Sequence, residues 1–318
     1  MRALVTGATG FVGGSLLERL LATPGQTVVA AVRDRSGKLP PGIGHTCVAS
    51  LAPDADWRSG LEGVDTVYHL AARVHVMHDT VDDPMAAFRH TNVDGTLQLA
   101  RQAAAVGVRR FVFVSSIKVN CEQTQMGRPC QADDTPAPVD PYGVSKLEAE
   151  QGLRRLAGET GLEVVVVRPP LVYGPGVKAN FLRMMNWLKH GIPLPFGAID
   201  NRRSLVALDN LVDLLFVCGQ HPAAAGQTFL AGDGEDLSTT ELLRQLGQAL
   251  GRPARLIPVP APWLQSALGL LGKRDLAQRL CGSLQVDIAK ARALLDWTPP
   301  VQVAQALRRT AQAYLAKT

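Results

Sequence analysis

The chain has 318 residues, of which 46% are hydrophobic and 19% charged, with a net charge of +5. This is the profile of an ordinary soluble globular protein, long enough for one large domain or two smaller ones around a sizeable core. No Lys/Arg-rich run with interleaved aromatics occurs, so nucleic acid is not implied as a partner, whereas a mildly basic surface suits an anionic small molecule.

The apolar run Arg2-Ala3-Leu4-Val5 leads directly into Thr6-Gly7-Ala8-Thr9-Gly10-Phe11-Val12-Gly13-Gly14. A helical pattern carried by Leu16, Leu17, Leu20 and Leu21 follows. Strand, glycine turn and helix in that order form the context of a dinucleotide fingerprint: the glycines let backbone approach a pyrophosphate seated on the helix N-terminus. Gly7, Gly10 and Gly13 are spaced G-x-x-G-x-x-G, and because Gly7 and Gly10 interrupt the apolar run at once, the N-terminus is expected to be a strand, not a signal peptide.

Thr27–Val32 is the second strand. A carboxylate at its end would accept from both ribose hydroxyls of NAD, but the sequence there is Val32-Arg33-Asp34. An arginine can pair bidentately with a 2′-phosphate, which favours NADP; Asp34, one residue on, keeps NAD as the alternative. Further strands are expected at His45–Ala49, Thr66–Leu70 and Phe111–Ser115, with a long helix from Pro84 to Ala105 between the last two.

Asp140-Pro141-Tyr142-Gly143-Val144-Ser145-Lys146 opens the next helix, with Pro141 suited to its first turn. Tyr142 and Lys146, four apart, share a face. A lysine beside a phenol favours the phenolate, so the Tyr142 pKa is expected to fall, which would let Tyr142 exchange a proton with an alcohol or ketone oxygen. Gly161 ends this helix before the strand Glu163–Arg168. Strands apolar throughout and alternating with helices predict a doubly wound parallel α/β sheet over about the first 170 residues.

Beyond Arg168-Pro169-Pro170, Pro and Gly become frequent and short helices alternate with loops. Ser238-Thr239-Thr240-Glu241 is a capping box for a helix to Leu250. Ala261–Leu271 is too short to span a bilayer and is expected to form a buried or lid-like helix. Val301–Ala316 predicts a terminal amphipathic helix. The expected organisation is a dinucleotide-binding domain over 1–175, joined by later segments around 203–231, and a smaller α/β substrate-binding domain over 176–318, with the ligand between them. Cys47, Cys121, Cys130, Cys218 and Cys281 are odd in number and scattered. They are expected to be reduced thiols of a cytoplasmic protein, not a disulfide or zinc framework. His75 and His78 are expected to be loop histidines, and no metal site is expected.

Several pieces together carry a resemblance: Thr6–Gly13, His69-Leu70-Ala71-Ala72, Asn92–Thr96, Val114-Ser115-Ser116, Pro141–Lys146 and Arg168–Pro175. In this order and spacing the first 175 residues resemble the extended short-chain dehydrogenase/reductases, the NAD-dependent epimerase/dehydratase group that contains nucleotide-sugar epimerases, dehydratases and 4-keto reductases. The resemblance implies a Rossmann-like domain. It implies Ser116, Tyr142 and Lys146 as the catalytic set: Ser116 on the reacting sugar oxygen, Tyr142 as general acid/base, and Lys146 holding the nicotinamide ribose. It implies cofactor contacts from Gly7, Thr9, Gly10, Phe11, Val12, Gly13, Arg33, Ser50, Leu51, Leu70, Ala71, Ala72, Ser115, Tyr142, Lys146, Pro169 and Val172. On the substrate side it implies Asn180, Arg203 and Arg279 at a UDP-sugar diphosphate, and Leu194 and Phe196 along the strand that holds the uracil. It also implies a homodimer paired through the helices Pro84–Ala105 and Tyr142–Thr160.

The sequence departs from the pattern at three places. Val48-Ala49-Ser50-Leu51 lacks the aspartate that often contacts adenine. Asn120-Cys121 replaces Tyr-Gly after the catalytic serine. Ile117-Lys118 replaces the Asp-Glu pair of dehydratases, which counts against water elimination. The chain most resembles bacterial enzymes associated with surface polysaccharides (lipopolysaccharide O-antigen). Because Val32-Arg33 lacks the acid of an enzyme that holds NAD tightly, the expected activity is NAD(P)H-dependent reduction of the C4 ketone of a UDP-4-keto-6-deoxy-N-acetylhexosamine. The alternative is a UDP-hexose or UDP-N-acetylhexosamine 4-epimerase with tightly bound NAD. A non-catalytic dinucleotide-sensing protein is a more distant one.

Overall fold

The computed structural model describes residues 1–34, 39, 43–48, 50–74, 83–270, 272 and 274–317. His75, His78, Ala49 and Leu271 lie outside them. The first half runs β1 (Arg2–Thr6), α1 (Phe11–Leu21), β2 (Thr27–Val32), β3 (Gly44–Cys47), α2 (Arg58–Leu61) and β4 (Thr66–His69). It continues through α3 (Pro84–Phe88), α4 (Thr96–Ala105), β5 (Arg110–Val114), α5 (Pro141–Thr160) and β6 (Glu163–Arg168). β7 (Leu171–Tyr173), α6 (Ala179–Lys189), β8 (Arg203–Ala207), α7 (Leu208–Gln220), β9 (Thr228–Leu230), β10 (Asp236–Leu237) and α8 (Thr239–Ala249) follow. The chain closes with α9 (Ala261–Leu270), α10 (Arg274–Cys281), α11 (Ala289–Leu295) and α12 (Val303–Leu315).

Seven strands form one parallel sheet in the order β3-β2-β1-β4-β5-β6-β9. Period-two side-chain alternation explains why these strands are apolar on both faces. Ala3 and Val5 of β1, Val28 and Ala30 of β2, and Val165 and Val167 of β6 enter one core with α1 and α7. Leu4, Val29, Val164 and Val166 enter the opposite core with α4 and α5. The strand order reverses between β1 and β4, so a crevice opens beyond their C-terminal ends, where doubly wound sheets bind ligands.

Local sequence rules set the helix ends that matter. Asp140 caps α5, its Oδ1 accepting from Gly143 N at 2.6 Å, and Gly161 ends it in the left-handed region at φ 76°. Ser238 and Glu241 complete the capping box of α8. The expected continuous helix from Pro84 to Ala105 is helical throughout but interrupted by a π-helical turn, Arg89–Gly95, between α3 and α4. That turn brings buried Asn92 inward and sets Gly95 against the Leu51 carbonyl, where a Cβ would lie 2.6 Å from the oxygen. Nothing in 3.6-residue periodicity signals such a turn.

After β6 the chain builds a second core beside the sheet, from α6, α8 and α12 with β7 and β8. β10-β8-β7 forms a small mixed sheet there. Within the C-terminal half, α7 and β9 return to the large sheet: β9 pairs with β6, and α7 packs on the core shared with α1. Among the described residues no helix is long and apolar enough to cross a membrane.

One contact in the core makes a direct prediction. Tyr68 on β4 is fully buried, its hydroxyl has no hydrogen-bond partner among the described residues, and a Cβ on Gly219 of α7 would lie 1.8 Å from it. Gly219→Ala should therefore destabilise the fold by about 1–3 kcal/mol through overpacking, despite the better helix propensity of alanine. Tyr68→Phe, which removes an unsatisfied hydroxyl, should be neutral or stabilising and should relieve Gly219→Ala only in part, because the ring carbon Cζ still lies 2.5 Å from the added Cβ. Urea denaturation of the two single variants and the double variant reads all three.

Candidate active site

At the crevice, the glycine turn after β1 meets the end of β4. Gly7 adopts φ 67°, and a Cβ there would lie 2.9 Å from Ala71 N. A Cβ on Gly13 would lie 2.1 Å from Gly7 O, so only glycine lets α1 start this close to the turn. Gly10 caps α1 with no side-chain hydrogen bond, which leaves the first-turn N–H groups of Phe11, Val12 and Gly13 facing forward as donors for an anion.

Thr6 locks this junction. Its Oγ1 accepts from Leu70 N at 3.2 Å and Ala71 N at 3.1 Å, and it bonds His69 Nδ1 at 2.7 Å. With its lone pairs so engaged, the threonine donates to Nδ1. That leaves Nε2–H of His69 to donate to Thr96 Oγ1 at 2.9 Å. Burial, with a smaller contribution from the Lys146 charge, pushes the His69 pKa down to about 3, so this imidazole is a neutral structural bridge. Thr6 and His69 each open one of the motifs read from the sequence, but that reading assigns neither a role; strand-end polar residues beside a glycine turn are the available signal.

Further along the same edge, β5 ends at Val114, followed by Ser115 and Ser116. Ser116 is half-buried and its Oγ accepts from Lys118 N at 3.3 Å. Tyr142 lies in the first turn of α5, with the Phe88 ring edge-on at 6.1 Å. Lys146, one turn on, is buried; its Nζ donates to Val114 O at 2.8 Å and sits 4.4 Å from the Phe113 ring centre and 6.0 Å from that of Tyr142. Asn92 braces the helix start: Nδ2 donates to Ser145 Oγ at 3.0 Å and to Arg73 O at 3.0 Å, while Oδ1 accepts from Arg73 N at 2.8 Å.

Ser115 is turned the other way. Its Oγ donates to Glu150 Oε1 at 2.6 Å, and the buried Glu150 carboxylate also accepts from Arg168 Nε at 2.9 Å and Arg168 Nη2 at 2.5 Å. Arg168 Nη1 reaches Asn120 Oδ1 at 2.9 Å. Asn120, at a departure from the family pattern, is thus a buried partner of the arginine. Lys118, at another, pairs with Asp140 and lies 3.7 Å from Glu122.

The protonation expected from sequence is corrected by this geometry. The Tyr142 pKa is pushed up, to about 12, by burial and then by the Asp140 charge. Lys146 does not offset this, because burial pulls its own pKa down to about 7, with Glu150 acting in the opposite direction. On the chain's own groups Tyr142 is a neutral phenol at pH 7, a proton donor.

The remaining site residues separate into two sets. Arg33 is exposed just past the end of β2, Ser50 is exposed beyond β3, and Leu51 packs under Gly95. Thr9 is exposed in the glycine turn, Ala72 is half-buried after β4, and buried Pro169 and half-buried Val172 follow β6. On the other lobe, Arg203 Nη1 donates to Gly282 O at 3.0 Å; burial and the Arg279 charge together hold its pKa below the usual guanidinium value. A guanidinium that feels the charge of a second one is stabilised by an anion near both. Asn180 is exposed in the first turn of α6. Leu194 and Phe196 are not at the cleft: both side chains are buried in the second core. Their backbone is also engaged, Leu194 pairing with Arg255 and Ile257, and Phe196 O accepting from Thr240 Oγ1. A cavity of about 330 Å³ lined by Ser204, Asp236, Gln285 and Arg292 contains none of the expected site residues.

The cysteines also differ from expectation. Cys121 and Cys130 are joined as a disulfide, while Cys47, Cys218 and Cys281 are free. The two lie nine residues apart in one loop after Ser116. Cys130 also pairs with Val286, which ties that loop to the C-terminal part of the chain, a contact that cysteine number and spacing alone do not disclose. Among the described residues no His/Cys/Asp/Glu group could hold a metal ion.

The profile of the NAD dependent epimerase/dehydratase family matches residues 3–232. A UDP-glucose 4-epimerase of Vibrio cholerae is 46% identical over 314 residues, covering 98% of this chain and 95% of that protein. A UDP-glucose 4-epimerase of Mycolicibacterium smegmatis is 32% identical over 336 residues, covering 100% of both. Among solved structures, the UDP-glucuronic acid 4-epimerase of Bacillus cereus in complex with UDP-glucuronic acid and NAD has a TM-score of 0.80, covers 100% of both chains, and is 22% identical, a likeness of fold.

The Glu150–Arg168 pair is a load on the fold that can be weighed. Glu150→Gln should destabilise the chain by about 3–5 kcal/mol, because it leaves the Arg168 guanidinium buried without a counter-charge. Glu150→Leu combined with Arg168→Met removes both charges and should lose much less. Guanidinium denaturation that put Glu150→Gln within about 1 kcal/mol of the parent would contradict the assignment.

Proposed function

The chain belongs to the NAD dependent epimerase/dehydratase family, and within it we propose that it is a nucleotide-sugar 4-epimerase acting on a UDP-hexose or UDP-N-acetylhexosamine. Support for a family enzyme comes from Lys146, whose Nζ donates to Val114 O two residues before Ser116 and lies 6.0 Å from the Tyr142 ring. Whole-length identity of 46% to a UDP-glucose 4-epimerase supports the epimerase over the reductase expected from Arg33.

The chain's residues fit NAD. Its pyrophosphate would rest on the uncapped N–H groups of Phe11, Val12 and Gly13, beside glycines whose Cβ atoms would fill the cradle. Leu70, Ala71 and Ala72 would line one side, Pro169 and Val172 another, and Lys146 would hold the nicotinamide ribose. NAD, when bound, supplies an acceptor and then a donor for the sugar C4 hydride, and in its oxidised form a positive charge that favours the ionised phenol.

In this reading Tyr142 takes the O4 proton as the C4–H bond breaks and returns it once the ketone has presented its other face. Ser116 Oγ hydrogen-bonds O4 and orients it. Arg203 and Arg279 grip the diphosphate, so the sugar can turn while the UDP stays fixed. The two lobes fit a division in which the first, with α7 and β9, binds the dinucleotide and the second binds the UDP-sugar.

A second reading, reduction of a UDP-4-keto-6-deoxy-N-acetylhexosamine with NADPH, is favoured by Arg33 alone, which stands exposed where a ribose-binding acid would be. Proton NMR of UDP-glucose and UDP-N-acetylglucosamine incubated with the enzyme separates the two. The proposal predicts formation of the C4 epimer without added cofactor. Tyr142→Phe should slow it by about 10²–10⁴-fold. Absence of any epimer, with NADPH-dependent consumption of a 4-keto sugar, would replace this reading with the second.

A further inference from the structure

The helix Ala261–Leu270, expected to be buried or lid-like, is largely open to solvent. In α9 only Leu264 is buried, while Trp263 is 74% exposed and Leu270 is 90% exposed. Trp263, Ala267 and Leu270 are spaced i, i+4, i+7, so they share one helical face, and that face points outward. Ile257 just before the helix is 51% exposed, and Leu276 on the adjoining α10 is 43% exposed. Four large apolar side chains open to solvent within twenty residues are a patch, not scatter.

The charge of the chain is gathered on the same segment. Residues 251–282 contain Arg252, Arg255, Lys273, Arg274 and Arg279 against the single acid Asp275, a net of +4. The rest of the chain has 28 Lys/Arg against 27 Asp/Glu, so nearly all of the net +5 resides here. Arg252 and Arg255 are exposed beside the patch.

We propose that the α9–α10 hairpin docks this protein on the surface of an anionic membrane, with Trp263 and Leu270 entering the interface and Arg252 and Arg255 facing lipid phosphates. An outward apolar face with an interfacial tryptophan and flanking arginines is the pattern of a peripheral membrane contact. Each basic side chain near an anionic surface adds to the attraction. Self-association through the same face is disfavoured, because it would set two +4 segments against each other. The hairpin is also anchored so that the patch stays outward: Leu280 O accepts from Thr239 Oγ1 at 2.7 Å and Asn201 Nδ2 at 3.2 Å, and Gly282 O accepts from Asn201 Nδ2 at 2.8 Å. The inference is independent of the reaction proposed above.

The test is co-sedimentation of the full chain with vesicles of phosphatidylcholine alone and of phosphatidylcholine with phosphatidylglycerol, at low and at physiological salt. The parent should bind the phosphatidylglycerol vesicles and not the neutral ones, more weakly as salt rises. Trp263→Glu with Leu270→Glu should reduce binding about tenfold or more, and Arg255→Glu should reduce it less. Circular dichroism and turnover of a soluble nucleotide sugar should stay at parental values, since none of these residues belongs to the catalytic set. Equal binding to neutral and anionic vesicles, no binding to either, or undiminished binding by the double variant would overturn the proposal. So would a dimer that the double variant splits while the parent ignores vesicles, which would make the face a contact between copies.

Discussion

One buried carboxylate holds the catalytic edge together. Glu150 gathers Ser115 from the end of β5 and Arg168 from the end of β6, and it belongs to α5, one turn beyond Lys146. Each partner neighbours a position in the proposed site: Ser115 precedes Ser116, and Arg168 precedes Pro169. Through Asn120, the arginine also fixes the loop that follows Ser116. A charge pair fully out of water is costly unless it is hydrogen-bonded throughout, and here both oxygens of the carboxylate are occupied. The return is geometric, because strand end, helix and following loop cannot drift independently.

The opposite half of the crevice is fixed by steric contact, with little charge. Gly7 and Gly13 approach the neighbouring backbone more closely than any side chain allows, and Thr6 stitches the turn to β4 through two N–H groups and a neutral His69. That arrangement leaves helix-start donors forward for an anion and holds His69 as an uncharged bridge. The cationic groups are concentrated elsewhere, in Lys146 behind the tyrosine and in Arg203 beside Arg279 on the second lobe. A ligand with a negative middle and a neutral reacting sugar fits that separation.

The fold was legible where local physics decides it. The continuous apolar strands, the glycine turn, the Asp140–Pro141 helix start, the Gly161 stop and the Ser238–Glu241 box all lie in adjacent residues. What was not legible depends on partners distant in sequence. Leu194 and Phe196 look like a ligand-lining strand, but the 255–257 segment pairs with the backbone of Leu194 and Gly197, and the second core takes the Leu194 and Phe196 side chains. The π-helical turn answers to Leu51, not to periodicity. The sign of the Tyr142 shift was misread because a lysine lowers a phenol only while charged and near, and burial acts on both groups. Arg33 pointed to NADP and so to reduction; whole-length likeness to 4-epimerases outweighs one exposed side chain.

The central claim, that this enzyme removes and returns the same hydride, is tested most directly by identifying the dinucleotide released when the freshly purified protein is denatured. Retained NAD⁺ in near-equal proportion to protein is the predicted result, because an epimerase need never exchange its cofactor. Protein that releases nothing and then binds NADPH in preference to NADH would contradict the account, since only a reductase must renew its cofactor at each turnover.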